Sequence, residues 1–183
     1  MIIMEKINLQ RFTDDATERL VLRADRVSFM NTATTGTASY KRMTGFTTMS
    51  KSKNPSEYSR KYVDQATENS DVTGYAEAVE YQFDMHTNNA VHTRLASISD
   101  DELTGSDALV QIVTVDMSSK EAEKPATMRT YSVIPDKSDD GTDALTYGGN
   151  FKAASAITKG TVTLDATETT ATFTAAGTTQ PAE

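Results

Sequence analysis

The chain has 183 residues, of which 37% are hydrophobic and 7% aromatic, with no cysteine or tryptophan and a formal net charge of −8. Such a length supports one stable core. The lack of cysteine excludes disulfides, thiolate metal sites and cysteine nucleophiles. The negative balance argues against indiscriminate binding to nucleic acid or anionic membranes.

The first residues are apolar-rich, but Glu5 and Lys6 interrupt them before a signal-peptide core could form. Residues 1–18 are expected to be an arm, with Ile3, Ile7, Leu9 and Phe12 available for docking. Over residues 20–30, Leu20, Leu22 and Ala24 share one parity and Val27 and Phe29 the other, which predicts a strand bent or bulged near Asp25. Residues 39–49 are the next strand candidate. Residues 49–74 are polar, contain Asn54-Pro55 and lack a period, so they read as a long loop with a function.

Charge separates across this region. Residues 41–62 hold Lys41, Arg42, Lys51, Lys53, Arg60 and Lys61 against the single acid Glu57. Residues 63–84 hold Asp64, Glu68, Asp71, Glu77, Glu80 and Asp84 with no Lys or Arg. Adjacent blocks of opposite sign predict two faces that meet complementary surfaces, and so self-assembly rather than chemistry.

The clearest strand is 75–85. Tyr75, Val79, Tyr81, Phe83 and Met85 share a parity, with Glu77 the exception, and Glu80, Gln82 and Asp84 lie on the polar face. After the cap candidates Asn88-Asn89, Val91, Leu95 and Ile98 recur at helical spacing and predict one helix over 90–98. Strands are then expected over 108–117, 127–134 and 145–154, with a turn from Pro135 through Gly141. A closing pair, 160–164 and 170–174, is joined by residues 165–168. Threonine occurs 29 times, ten of them between Thr158 and Thr179, in keeping with a mostly-β chain. The whole reads as a single domain over 1–174 with a disordered tail over 175–183.

Chemistry finds little footing. His86 and His92 lack a third ligand at metal-site spacing. Asp136-x-Ser138-x-Asp140-Gly141 starts like a calcium loop, but Tyr147 stands where the closing glutamate belongs. Asp100, Asp101 and Glu102 are consecutive acids and not a pair across a cleft. Gly148-Gly149 lacks the pattern of a phosphate cradle, and no Gly-x-Ser-x-Gly occurs. Neither an enzyme nor a cofactor is expected.

Six segments carry a family likeness. They are Phe46-Thr-Thr-Met-Ser-Lys-Ser-Lys-Asn-Pro-Ser-Glu-Tyr-Ser-Arg-Lys-Tyr-Val-Asp64, Ser70-Asp-Val-Thr-Gly-Tyr75, Asn89-Ala-Val-His92, residues 99–108, and Tyr131-Ser-Val-Ile-Pro-Asp136 with Gly141-Thr-Asp-Ala-Leu-Thr-Tyr147. In order and spacing this series resembles the major tail tube proteins of long, non-contractile-tailed bacteriophages of Gram-positive hosts, over residues 40–159. The resemblance implies a β-sandwich or partial barrel with one flanking helix, whose sheets join into a continuous β-barrel in a hexameric ring. It implies that rings stack through a long loop, here residues 49–74, and through terminal arms. The lumen would hold a tape measure protein, terminator and baseplate proteins would close the ends, and DNA would pass without specific binding. Such a protein resides in the virion, after assembly in the host cytoplasm, and needs no membrane.

On that basis Glu80, Gln82 and Asp84 are expected to face an acidic lumen, which would not hold phosphates, with the outer solvent side as the alternative. Lys51, Lys53, Tyr58, Arg60 and Lys61 are expected at the contact between rings, against Asp100, Asp101 and Glu102 of the next ring. The competing classes are another phage structural protein (tail terminator, baseplate or capsid decoration) and a β-sandwich binding module, which the scarcity of aromatics disfavours.

Overall fold

Threonine- and valine-rich segments become strands where alternate side chains find an interior. The computed structural model of the chain describes residues 20–138 and 143–177. The first half contains β1 (Arg26–Asn31), β2 (Tyr40–Arg42), β3 (Phe46–Ser52), β4 (Pro55–Arg60), β5 (Asn69–Tyr75) and β6 (Ala78–Asp84). After α1 (Ala90–Asp100) come β7 (Leu109–Asp116), β8 (Lys124–Ser138), β9 (Thr146–Ala153), β10 (Thr158–Leu164) and β11 (Thr170–Ala175).

Nine strands form one antiparallel sheet in the order β10-β11-β2-β1-β7-β8-β9-β6-β3, and β10 also pairs with β8. That extra pairing closes six strands into a circuit of hydrogen bonds. β8 makes both arrangements possible: residues 124–128 pair with β10, and residues 131–138 pair with β9. Beyond β8 the sheet continues as a four-stranded wing of β8, β9, β6 and β3.

There are two apolar interiors. Inside the circuit lie Val27, Phe29, Tyr40, Val113, Val115, Ala126, Val162 and Ala171. The second lies under α1, between the wing and the other faces of β1 and β7, and includes Met30, Val79, Tyr81, Phe83, Leu95, Ile98, Ile112, Val133 and Phe151. Alternation sorts them: Val113 and Val115 of β7 enter the first interior, Val110 and Ile112 the second. Burial of such side chains contributes about 1.5–3 kcal/mol each relative to exposure.

The wing interior is built around aromatic contacts. Tyr81 stacks on Phe151 with ring centroids 4.3 Å apart, and Phe83 stacks on His92 at the same separation. Gly149 lies opposite Tyr81 in the ladder, and a Cβ there would stand 2.4 Å from the Ile134 carbonyl and 3.0 Å from the Tyr81 hydroxyl. The helix starts where expected, because the Asn89 side chain accepts from the backbone N–H groups of Val91 and His92.

Several expectations need correction. Residues 49–74 are not a loop: they hold the end of β3 and the β4–β5 hairpin. The strand expected over 75–85 begins at Ala78, with Tyr75 ending β5. The strand expected over 20–30 begins at Arg26, after a 3-10 turn at Arg23–Asp25. Residues 39–49 split into β2 and β3 around Gly45, whose φ is 76°. β8 runs through Pro135 to Ser138 with a register shift between Pro135 and Lys137, where a turn was expected. The N-terminal arm (residues 1–18) and residues 178–183 of the expected tail lie outside the described residues.

Candidate assembly surfaces

The wing offers a polar face and two open edges. Glu80 and Gln82 are exposed on β6, opposite the apolar parity, as their alternation requires, and Asp84 is half-buried at the strand end. Ladder partners extend this face: Ser50, Glu80, Asn150 and Ile134 stand in one row, Thr48, Gln82, Gly148 and Lys137 in the next. A Cβ on Gly148 would meet the side chains of Gln82 and Lys137, which places both on this side. Lys152, exposed two residues beyond Asn150, joins them. The face is therefore mixed in charge, Glu80 and Asp84 against Lys137 and Lys152, where an acidic one was expected.

β3 pairs with β6 on one side and, among the described residues, with nothing on the other. It contains no proline; its protections are a register shift between Phe46 and Thr48 at one end and Lys51, bound to Glu77, at the other, so the ladder from Thr48 to Ser50 stands open between them. At the other border, the β7 ladder ends at Ser132, so that among the described residues 133–138 of β8 pair only with β9.

The β4–β5 hairpin extends from the hairpin-side end of β3 and β6. Ser52 faces Ala78 below the break and Pro55 faces Tyr75 above it. Two residues on each strand, Lys53-Asn54 and Ala76-Glu77, separate the ladders, so β3–β4 and β5–β6 form one long hairpin interrupted once. Every residue of β4 and β5 except Gly74 is exposed. Tyr58, Tyr62, Val63, Val72 and Tyr75 are bare there, with Val63 fully so. Arg60 bonds the Tyr58 hydroxyl at 3.0 Å, and Lys61 follows it at the end of the strand. A two-stranded ribbon with both faces in water is marginal by itself, and bare tyrosines beside an arginine are what interface centres use.

At the break sits Glu77, which is buried. Its Oε1 accepts from the Tyr131 hydroxyl at 2.6 Å and lies 3.3 Å from Lys51 Nζ. Its Oε2 accepts from Lys53 and lies 3.6 Å from Arg129 Nη1. Burial alone raises the carboxyl pKa, but hydrogen bonds from Lys53 and Tyr131 and the charge of Lys51 override it and bring it to about 2. Burial and the bond to Glu77 push the Tyr131 phenol up. Lys51 and Lys53, expected at a contact between rings, both bind Glu77 of their own chain while their side chains stay partly exposed. Sequence reasoning passed over Glu77 as a break in the alternation, although an acid on an apolar parity was itself the signal.

The acids expected to meet those lysines lie at the opposite end of the wing. Asp100 accepts from the Tyr147 hydroxyl at 2.9 Å, and Tyr147 pairs with Phe83 near the far end of β6. Asp101 caps α1 and Glu102 follows, both exposed. The structure therefore does not bring the basic and acidic candidates together within one chain.

No family model matches the chain, and no curated protein matches it. Among solved structures, a chain of the cryo-EM structure of the anti-feeding prophage baseplate, 6-fold symmetrised, is similar, with 7% identity and a TM-score of 0.47. The match covers 79% of this chain and 96% of that one, and at this distance it carries no inference about function.

Proposed function

We propose that the chain is a structural protein of a bacteriophage tail, and specifically a tail tube subunit whose hexameric rings stack into a conduit for DNA ejection. The observation that carries this reading is the pair of open edges on the wing. Joining β3 of one copy to residues 133–138 of β8 in the next satisfies both edges, and a head-to-tail contact that repeats around an axis closes into a ring. The resemblance of residues 40–159 to tail tube proteins supplies the ring size. Four strands from each of six copies give about 24 strands at about 4.8 Å, hence about 37 Å between opposite backbones; side chains reaching about 5 Å inward leave room for a DNA duplex.

The face carrying Glu80, Gln82 and Asp84 then lines the lumen. Its serines, threonines and balanced charges offer no cationic track to hold phosphates. The hairpin projects from one end of the wing while Asp100, Asp101 and Glu102 lie at the other, as stacking through unlike ends needs. Tape measure, terminator and baseplate proteins are the partners this role entails.

Negative-stain electron microscopy of the purified protein tests the reading. Tubes of variable length are expected, since nothing in a repeating subunit measures length. Single rings that never stack would favour a terminator or baseplate role, and monomers at every concentration would overturn both.

A further inference from the structure

Among the described residues, β4 and β5 pack on each other and no more than marginally on any other element. The direction of the hairpin is therefore set at the break. There the backbone turns through Asn54, whose φ is 43°, and Asn54 and Ala76 exchange two hydrogen bonds of 3.1 Å. These bonds close the ribbon but do not tie it to the body. Glu77 does so. Its carbonyl accepts from Ala153 N–H at 2.9 Å, anchoring the break to β9. Its carboxylate gathers Lys51 from β3, Lys53 from the break itself, and Arg129 and Tyr131 from β8. One buried side chain thus fastens both strands of the ribbon base to the wing. Backbone pairing alone leaves such a joint free to flex, whereas a carboxylate shared by groups from several elements fixes both angle and twist.

We infer that Glu77 is the positioning residue of the β4–β5 hairpin, fixing the angle at which it leaves the sheet and thereby aiming it at another copy. The aiming rests on the stacking reading; the fixed angle does not.

The chain has no cysteine, so Ser59→Cys on the hairpin and Lys152→Cys on the wing accept two spin labels without competition. Labelled protein diluted into unlabelled protein reports the distance within one chain by double electron–electron resonance. The parent should give one narrow distance. Glu77→Gln keeps an acceptor for Tyr131 but presents an amide N–H to Lys53 and Arg129, and it should lose the narrow peak while the circular dichroism of the body persists. Lys53→Met removes one exposed partner and should broaden the same peak, which decides the matter if Glu77→Gln does not fold. An unchanged narrow distance in the folded variants, even with a lower melting temperature, overturns the inference, because a merely stabilising role moves only the latter. If the parent never assembles, the stacking reading fails and the distance still decides the role of Glu77. If the parent forms tubes and Glu77→Gln forms identical ones despite a broadened peak, the aiming is overturned.

Discussion

His92 and Thr44 are joined by a 2.8 Å hydrogen bond that ties the first turn of α1 to the corner between β2 and β3. The backbone N–H of His86 meets the other ring nitrogen, Nδ1, at 3.2 Å. An amide can only donate, so Nδ1 accepts and Nε2 carries the proton given to the Thr44 carbonyl. The buried ring is neutral in the fold. Burial lowers its pKa, with the Thr44 bond opposing.

The sign of the pH dependence follows. The unfolded chain binds a proton near its ordinary value of about 6.5, and the folded chain only at lower pH. Stability should fall as pH drops below about 6.5 and level off once the folded ring also titrates. Melting temperature should decline over that window in the parent and decline less in His92→Gln. Parallel curves would remove His92 from the account.

Glu77 acts in a separate, more acidic window. Its pKa is depressed to about 2, so its contribution is present above the ordinary carboxylate value of about 4.3 and is lost as pH falls toward 2. Glu77→Ala should cost about 3 kcal/mol in urea unfolding, the low end for a broken buried pair, since Lys51 and Lys53 remain 41% and 55% exposed. A loss below about 0.5 kcal/mol would mean that the cations find water instead.

The two adjacent glycines of β9 should respond differently. In Gly149→Ala the new methyl meets the backbone of Ile134 and Pro135 at 2.4 and 2.9 Å, which cannot yield without moving a strand. A cost of about 1–3 kcal/mol or more is expected. In Gly148→Ala the nearest atom is 3.4 Å away on the polar face, so the change should be much smaller. Equal urea midpoints for the two variants would contradict the packing described for Tyr81.

Stacking can be tested by charge exchange away from the Glu77 cluster. Reversing Lys51 and Lys53 would damage that cluster as well as any contact between rings. Arg60→Glu with Lys61→Glu should reduce tube yield, as should Asp101→Lys with Glu102→Lys. Combining all four should restore it if the ends meet. Each ion pair contributes only about 0–1 kcal/mol, but a ring repeats it around the axis. Electron microscopy that finds no recovery in the combined variant would show that these ends do not face each other.

The alternation of β6 and the helical spacing of Val91, Leu95 and Ile98 were legible because burial imposed a period on them. The hairpin was not: with both faces of β4 and β5 in water, nothing imposed alternation on Pro55–Arg60 or Asn69–Tyr75. The charge blocks, as sequence, point to two surfaces for other molecules. Part of that complementarity is internal, since β3–β4 folds back on β5–β6 and brings Lys51 and Lys53 to Glu77. Pro135 signals the start of a turn by its residue type, yet it lies in a stretch of β8 that among the described residues pairs only with β9, beside a register shift, where a strand tolerates proline. The open edges were invisible, because they depend on which strands end up as neighbours.

Closure of the strand circuit has a consequence for synthesis. β10 and β11 supply the contacts that join β8 to β2, and they leave the ribosome after every other strand of the circuit. Until they arrive, Phe29, Val113 and Val115 have no complete wall around them. A translation product that stops before Thr158 presents an unfinished, sticky interior to chaperones and proteases, so quality control can tell it from a chain whose circuit has closed.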